Sequence, residues 1–245
     1  GFLMSATNEY QPRSAELLRQ AVAIWKRLEQ EQPGKYRVEY ATACDNLGYQ
    51  LSLSHDVATH REAEAVLREA LAIRQQLYQQ DPGRFRRDYA WTADNLGKVL
   101  TRDSGSFAEA EELLRTALQL REEMNRESGG KNISEVAWTC HNLGQLLAKK
   151  PEYAAEAEQC YRTSIRLRQK LEQLSPGTHA ADTSWVMFWL AELLSHDPAR
   201  HAETGELYCA ALEIQQKVEQ EHPGMFVLNI DRIRERYESF RNGIQ

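Results

Sequence analysis

The sequence predicts an all-α protein, a right-handed superhelical solenoid of stacked antiparallel helix pairs with a repeat of 47 to 49 residues. Turn dipeptides give the period. Pro33-Gly34, Pro82-Gly83, Pro176-Gly177 and Pro223-Gly224 are spaced by 49, 94 and 47 residues, and Gly129-Gly130 fills the long gap, 47 beyond Pro82-Gly83. Two landmarks keep the same register. Asn46-Leu47-Gly48, Asn95-Leu96-Gly97 and Asn142-Leu143-Gly144 recur at steps of 49 and 47, with Trp189-Leu190-Ala191 as the fourth copy. The stretch Ala63 to Arg74 returns as Ala110 to Arg121, as Ala157 to Arg168 and, more loosely, as Thr204 to Gln215. A fixed period of this kind is the signature of a repeat array, whose units stack because one alone cannot bury its apolar face. Within each unit the apolar residues follow helical spacing, and no segment alternates like a strand.

The elements follow in order as one array over residues 1–245. A partial repeat covers 1–34, where Gly1-Phe2-Leu3-Met4 aligns with Gly97-Lys98-Val99-Leu100 and Asn8-Glu9-Tyr10 with Pro151-Glu152-Tyr153. The chain is therefore expected to start inside a first helix and to be part of a longer protein. A second-helix copy begins at Ser14 and runs into Ile24-Trp25. Repeats are predicted over 35–83, 84–130, 131–177 and 178–224. In the first of these, Val66, Leu67, Ala70, Leu71, Ile73 and Leu77 mark one face of a helix from Glu62 to Gln80, a rod of roughly 28 Å. Pro82-Gly83 is expected to end it. The next helix is predicted from Phe85 to Leu100, and the polar link Thr101 to Gly105 leads into the following one. Small residues at fixed positions imply close helix contacts: Gly48, Gly97, Gly144 and Ala191 on first helices, Ala70, Ala117, Ser164 and Ala211 on second helices. Residues 225–245 are predicted as a capping helix over Asn229 to Asn242, with Ile230, Ile233, Tyr237 and Phe240 on one side and charge on the rest.

Composition narrows the function classes. Hydrophobic residues make up 42% and charged residues 27%, so a packed core is expected rather than disorder. No run of 18 apolar residues exists, which excludes a membrane-spanning helix. The net charge of −6 opposes nucleic-acid binding inside the array. Cys44, Cys140, Cys160 and Cys209 form no Cys-x-x-Cys pair, so reduced, partly buried thiols in a cytoplasmic setting are expected. No phosphate-binding glycine loop, nucleophile elbow or zinc-protease helix is present. Neither enzymatic activity nor a cofactor is expected. Ser54-His55-Asp56-Val57-Ala58-Thr59-His60 and Ser195-His196-Asp197-Pro198-Ala199-Arg200-His201 bring His and Asp together at inter-helix turns. Asp after a helix end is a good N-cap for the next helix, and capping rather than metal binding is the expected role.

Leu96-Gly97 followed by Ala110, Leu114 and Ala117 resembles the tetratricopeptide repeat. The longer unit, with Asn-Leu-Gly and Ala-Leu-x-Ile-Arg, is most similar to the kinesin-light-chain-like class. The resemblance spans nearly the whole chain. It implies a protein-interaction scaffold whose first helices line a concave groove that accepts an extended peptide or helix. In that class the Asn before Leu-Gly clamps a peptide backbone, which implies this role for Asn46, Asn95 and Asn142. An amide offers both a donor and an acceptor to peptide groups, although an Asn bonding to a neighbouring helix is an equal alternative.

Trp91, Trp138 and Trp185, with Thr42 in the earliest copy, form a ladder at steps of 47, extended by Phe188 and Trp189. Indoles of this kind either line a groove or fill the core between long helices. Lys98, Arg102, Lys149 and Lys150 supply positive charge that could meet acidic peptide residues, near Asp45 and Asp94. The fourth repeat departs from the pattern, with Trp189 in place of Asn and Glu192 at the Lys98 position. Arg74, Arg121 and Arg168 form a second ladder, expected to pair with Glu or helix-end carbonyls. A protein or peptide partner follows from this reading. An arm regulating an attached effector domain is the alternative, and self-association through the half-repeat at the N-terminal end is a further expectation.

Overall fold

The computed structural model describes residues 10–54, 56–221, 223 and 227–243. Residues 1–9 of the predicted partial repeat, His55 and Gly224 lie outside the described residues. Ten α-helices run through the rest: α1 Tyr10–Glu31, α2 Arg37–Ser52, α3 Val57–Gln80, α4 Pro82–Leu100, α5 Phe107–Glu127, α6 Ile133–Leu147, α7 Ala154–Leu174, α8 Ala180–Leu194, α9 His201–Glu221 and α10 Val227–Gly243. Three short 3₁₀ turns precede α5, α7 and α9. The described residues contain no strand. Two compact units are present, one over Asn8–Glu127 and one over Ser128–Gln245. In both, each helix packs against the next in sequence.

The unit over Asn8–Glu127 contains α1 to α5. Tyr40, Cys44 and Ala70 form one buried cluster, flanked by Val22, Trp25, Val66 and Ile73. Ala90, Leu120 and Met124 form another, beside Tyr78 and Tyr89. The unit over Ser128–Gln245 contains α6 to α10. Its core joins Tyr161, Ile165, Val186, Leu190 and Leu194, then Phe188, Ala191, Tyr208, Ala211 and Ile233.

The landmark glycines are docking points for a side chain of the following helix. A Cβ on Gly48 would lie 2.4 Å from Leu67 Cγ, one on Gly97 2.7 Å from Leu114 Cγ, and one on Gly144 2.8 Å from the Tyr161 ring. Leu67, Leu114 and Tyr161 are all buried, as is Tyr208, which packs in the same cluster as Ala191. Gly therefore sets the interhelix distance by leaving room for a knob.

The helix ends depart from the sequence expectation in one respect. Pro82-Gly83 does not close α3 as a turn; it opens α4. Asp81 ends α3 and caps α4 by accepting from the Arg84 N–H at 3.1 Å, which puts Pro82 in the first helical turn, where its missing N–H costs nothing. The helix predicted from Phe85 thus begins three residues earlier. Likewise α3 begins at Val57 rather than Glu62, because Asp56 accepts from the Thr59 N–H at 2.7 Å. Gly34, Gly130 and Gly177 do form turns, with φ of +89°, +91° and +84°. A helix carboxylate steadies two of these turns. Glu29 accepts from the N–H groups of Gly34 (2.6 Å) and Tyr36 (2.9 Å), and Glu172 from those of Gly177 and His179.

Candidate functional site

The arginine ladder decides which faces of the helices are free. Arg74, Arg121 and Arg168 are buried, and each reaches an aspartate on a first helix. Arg74 on α3 donates to Asp45 Oδ2 on α2 through Nε (3.1 Å) and Nη2 (3.0 Å), to Thr42 Oγ1 (2.8 Å), and to Asp88 Oδ2 on α4 (3.1 Å). Thr92 on α4 donates to the other Asp45 oxygen at 2.6 Å, so one carboxylate ties three helices together. Arg121 lies 3.4 Å from Asp94, and Arg168 donates to Asp182 at 2.8 Å. The partners of the ladder are therefore aspartates rather than the glutamates or carbonyls expected from the sequence, because these arginines lie inside the helix stack and not at its ends. In the next copy the residue is Gln215, which donates to Ser184 Oγ (2.7 Å) and the Ala181 carbonyl (3.2 Å). Burial pushes the Asp45 carboxyl up to about 6 against the opposing pull of Arg74 and Thr92.

The tryptophan ladder stands over this network. The Arg121 guanidinium lies 5.9 Å from the Trp91 ring centre, and Arg168 lies 5.9 Å from that of Trp138. Thr42 holds the same register on α2 and accepts from Arg74 directly. Trp138, Trp185 and Trp189 are half-buried, whereas Trp91 is 39% exposed. Trp91 packs on Tyr49 of α2 with ring centres 5.7 Å apart, and the Lys98 ammonium lies 6.0 Å from the Tyr49 ring. Burial lowers the Lys98 pKa. Tyr49 and Lys98 occupy one register position in successive repeats, with Gln145 and Glu192 after them. Sequence reasoning passed over Tyr49 as a candidate, although its position directly after Gly48 puts it in register with Lys98.

The three Asn side chains sit in different surroundings. Asn46 is exposed on α2, while Asn95 and Asn142 are buried. Neither the carboxamide oxygen nor the nitrogen of Asn95 has a hydrogen-bond partner among the described residues. Arg102 is tied to the α2–α3 turn, donating to the Ser54 carbonyl at 2.8 Å, with His60 Nδ1 at 3.4 Å. The other nitrogen of His60 lies 2.9 Å from the Val99 carbonyl, which makes it the donor. Lys149 is exposed and Lys150 half-buried at the end of α6. In the unit over Asn8–Glu127 the fold thus brings Asn46, Tyr49, Trp91 and Lys98 to one face of α2 and α4. In the other unit, Trp185, Phe188 and Trp189 cluster on α8, with centres 5.0 to 6.0 Å apart.

Asp56 and Asp197 act as caps, the latter accepting from the Ala199 N–H at 3.0 Å. Among the described residues no group of three His, Cys, Asp or Glu side chains is placed to hold a metal. No helix of these residues is long and apolar enough to cross a membrane.

A family model described as tetratricopeptide repeat matches residues 90–125, which cover most of α4, the link and α5 up to its last turn. No curated protein matched the chain. The matched segment contains the Gly97–Leu114 contact that recurs at Gly48 with Leu67 and at Gly144 with Tyr161. Helices are paired in both units and this contact recurs at the same register, so the match at residues 90–125 falls on one copy of a repeated helix pair that is similar to the tetratricopeptide repeat.

Proposed function

We propose that this chain is a protein-interaction module that holds an extended peptide or helix of a partner against its first helices and has no catalysis of its own. Tetratricopeptide repeats are non-catalytic scaffolds that mediate protein–protein contacts. The observation that carries the reading is Trp91. It is the one tryptophan of the ladder that is more than one-third exposed, and it sits beside Tyr49 with the Lys98 ammonium close by. Large aromatics with a neighbouring cation dominate binding energy at protein interfaces.

Asn46 offers an exposed carboxamide to a peptide backbone on the same face of α2. In the same unit, Lys98 on α4 and Arg102 in the link after it favour an acidic ligand. Asn95 and Asn142 are covered, so a backbone contact from either requires a side-chain movement, and the unmatched polar atoms of Asn95 would gain partners by it. In the unit over Ser128–Gln245, Trp138, Trp185 and Trp189 are half-covered and would offer their open edges to a ligand there.

Selection of peptides from a displayed library on the purified chain tests this reading. Trp91→Ala is expected to weaken the selected peptides at least tenfold, about 1.4 kcal/mol or more, with unchanged helicity. Equal binding by wild type and variant would remove this face as the binding surface.

A further inference from the structure

Each ladder tryptophan with a guanidinium over it follows one rule in α4–α5 and in α6–α7: the arginine lies 30 residues on, Trp91 with Arg121 and Trp138 with Arg168. Trp185 breaks the rule, because residue 215 is Gln and turns to Ser184 and Ala181 instead. Its cation comes from elsewhere. Arg232 on α10 places its guanidinium 5.3 Å from the Trp185 centre, 5.7 Å from Phe188 and 5.5 Å from Trp189. Trp185 and Phe188 are stacked at 15°, and Trp189 stands at 83° and 68° to them, so three rings face one charge from two directions.

Arg232 differs from the buried arginines in two ways. Its side chain is exposed, and it forms no ion pair among the described residues. The neighbouring Arg236 is held bidentately by Glu192, and α10 is anchored separately by Ile230 and Ile233, with Tyr237 and Phe240 beside them. Among the described residues Arg232 is thus held by ring faces, and α10 has its own apolar anchors if the guanidinium rotates into solvent. The indole N–H of Trp189 is buried and has no acceptor among the described residues, so the same cluster contains an unused donor.

We infer that Trp185, Phe188 and Trp189 form a recognition site for a guanidinium group, occupied in cis by Arg232 and open to an arginine side chain of a partner protein when Arg232 swings out. The occupant's chemistry is read from the group already seated there: a planar, weakly hydrated cation suits aromatic faces better than an ammonium does. This site does not depend on peptide binding at Tyr49 and Trp91.

Titration of methylguanidinium into wild type and Arg232→Ala, followed by the indole N–H resonances, tests the inference. In the variant, the Trp185 and Trp189 signals are expected to shift saturably, at a midpoint at least tenfold below that of wild type, where Arg232 competes. Trp138, with Arg168 beside its ring, and Trp91, exposed but flanked by the cations Arg121 and Lys98, are expected to stay in place, which separates this site from the Tyr49–Trp91 face. Arg232→Gln keeps length and helix propensity and replaces the first variant if α10 undocks, as read from amide signals of α10. Absence of saturation in the folded variant, or equal shifts at Trp138, would overturn the site.

Discussion

At the scale of single residues, charge inside the stack and missing side chains carry the clearest consequences. Arg74 and Asp45 are both almost fully buried, and removing one leaves the other uncompensated. Arg74→Met is expected to cost about 3 kcal/mol at neutral pH, and Asp45→Asn in the same chain to recover much of it. The pH dependence has a defined sign. The native Asp45 carboxyl is raised to about 6, above its unfolded value, so its contribution to stability is full at low pH and is lost as pH rises through 6. The deficit of Arg74→Met should therefore shrink on acidification through this range, as read from urea midpoints. A midpoint difference independent of pH would mean that Asp45 is not the group left stranded. Thiol chemistry follows burial in the same way. Cys44 is pushed up to about 12 by desolvation, and Cys140 and Cys160 are buried, whereas Cys209 is half-exposed. Alkylation of the native protein, mapped by mass spectrometry, should modify Cys209 first; early labelling at Cys44 would contradict this packing.

At the scale of elements, the Pro-Gly turns separate two local solutions that look the same in the sequence. Gly177 has φ of +84°, whereas Gly83 lies in the first turn of α4, and a Cβ there would meet nothing nearer than Asp81 Oδ1 at 3.5 Å. Gly177→Ala is expected to destabilise by about 1 kcal/mol through left-handed strain. Gly83→Ala is expected to stabilise by about 0.5 kcal/mol through helix propensity and a less flexible unfolded chain. Opposite shifts in thermal midpoint would confirm the distinction, and shifts of the same sign would refute it. Gly97→Ala belongs with the first case for a different reason. Its Cβ would press on Leu114, and overpacking of about 1–3 kcal/mol outweighs the propensity gain.

At the scale of the whole molecule, arginine–glutamate pairs join a second helix to the next one, or to the 3₁₀ turn that leads into it, within each unit. Arg19 meets Glu62 at 2.7 Å and Arg68 meets Glu109 at 2.9 Å; Arg162 meets Glu203, and Arg200 meets Glu158 at 2.9 Å. Hydrogen bonds from these arginines hold Glu62, Glu109, Glu158 and Glu203 below the usual carboxylate range. For groups depressed in the native state, the stabilisation is present above the unfolded carboxylate value and disappears as pH falls through the native one. Denaturant stability should therefore decline below about pH 4.3, and added salt should flatten the decline, since these pairs are partly exposed. An unchanged midpoint between neutral pH and pH 3 would exclude them as contributors.

Period, helical content and the identity of the packing positions were legible in the sequence, because stacking repeats must place like residues at like depths. Gly48, Gly97 and Gly144 could be recognised as contact points from their register alone, and so could Asp56 and Asp197 as caps. The site was less legible. Asn46 and Asn95 share a register position, yet one is exposed and the other buried, and Trp91 and Trp138 differ in exposure in the same way. A repeat fixes a side chain's direction on its own helix, while its coverage depends on which neighbours stand beside that helix. Tertiary structure alone assigned the buried arginines to aspartates on other helices, set Lys98 beside Tyr49, and brought Arg232 to three aromatic rings. Those pairings join residues 14 to 49 positions apart, where helix packing rather than local spacing decides which charges meet.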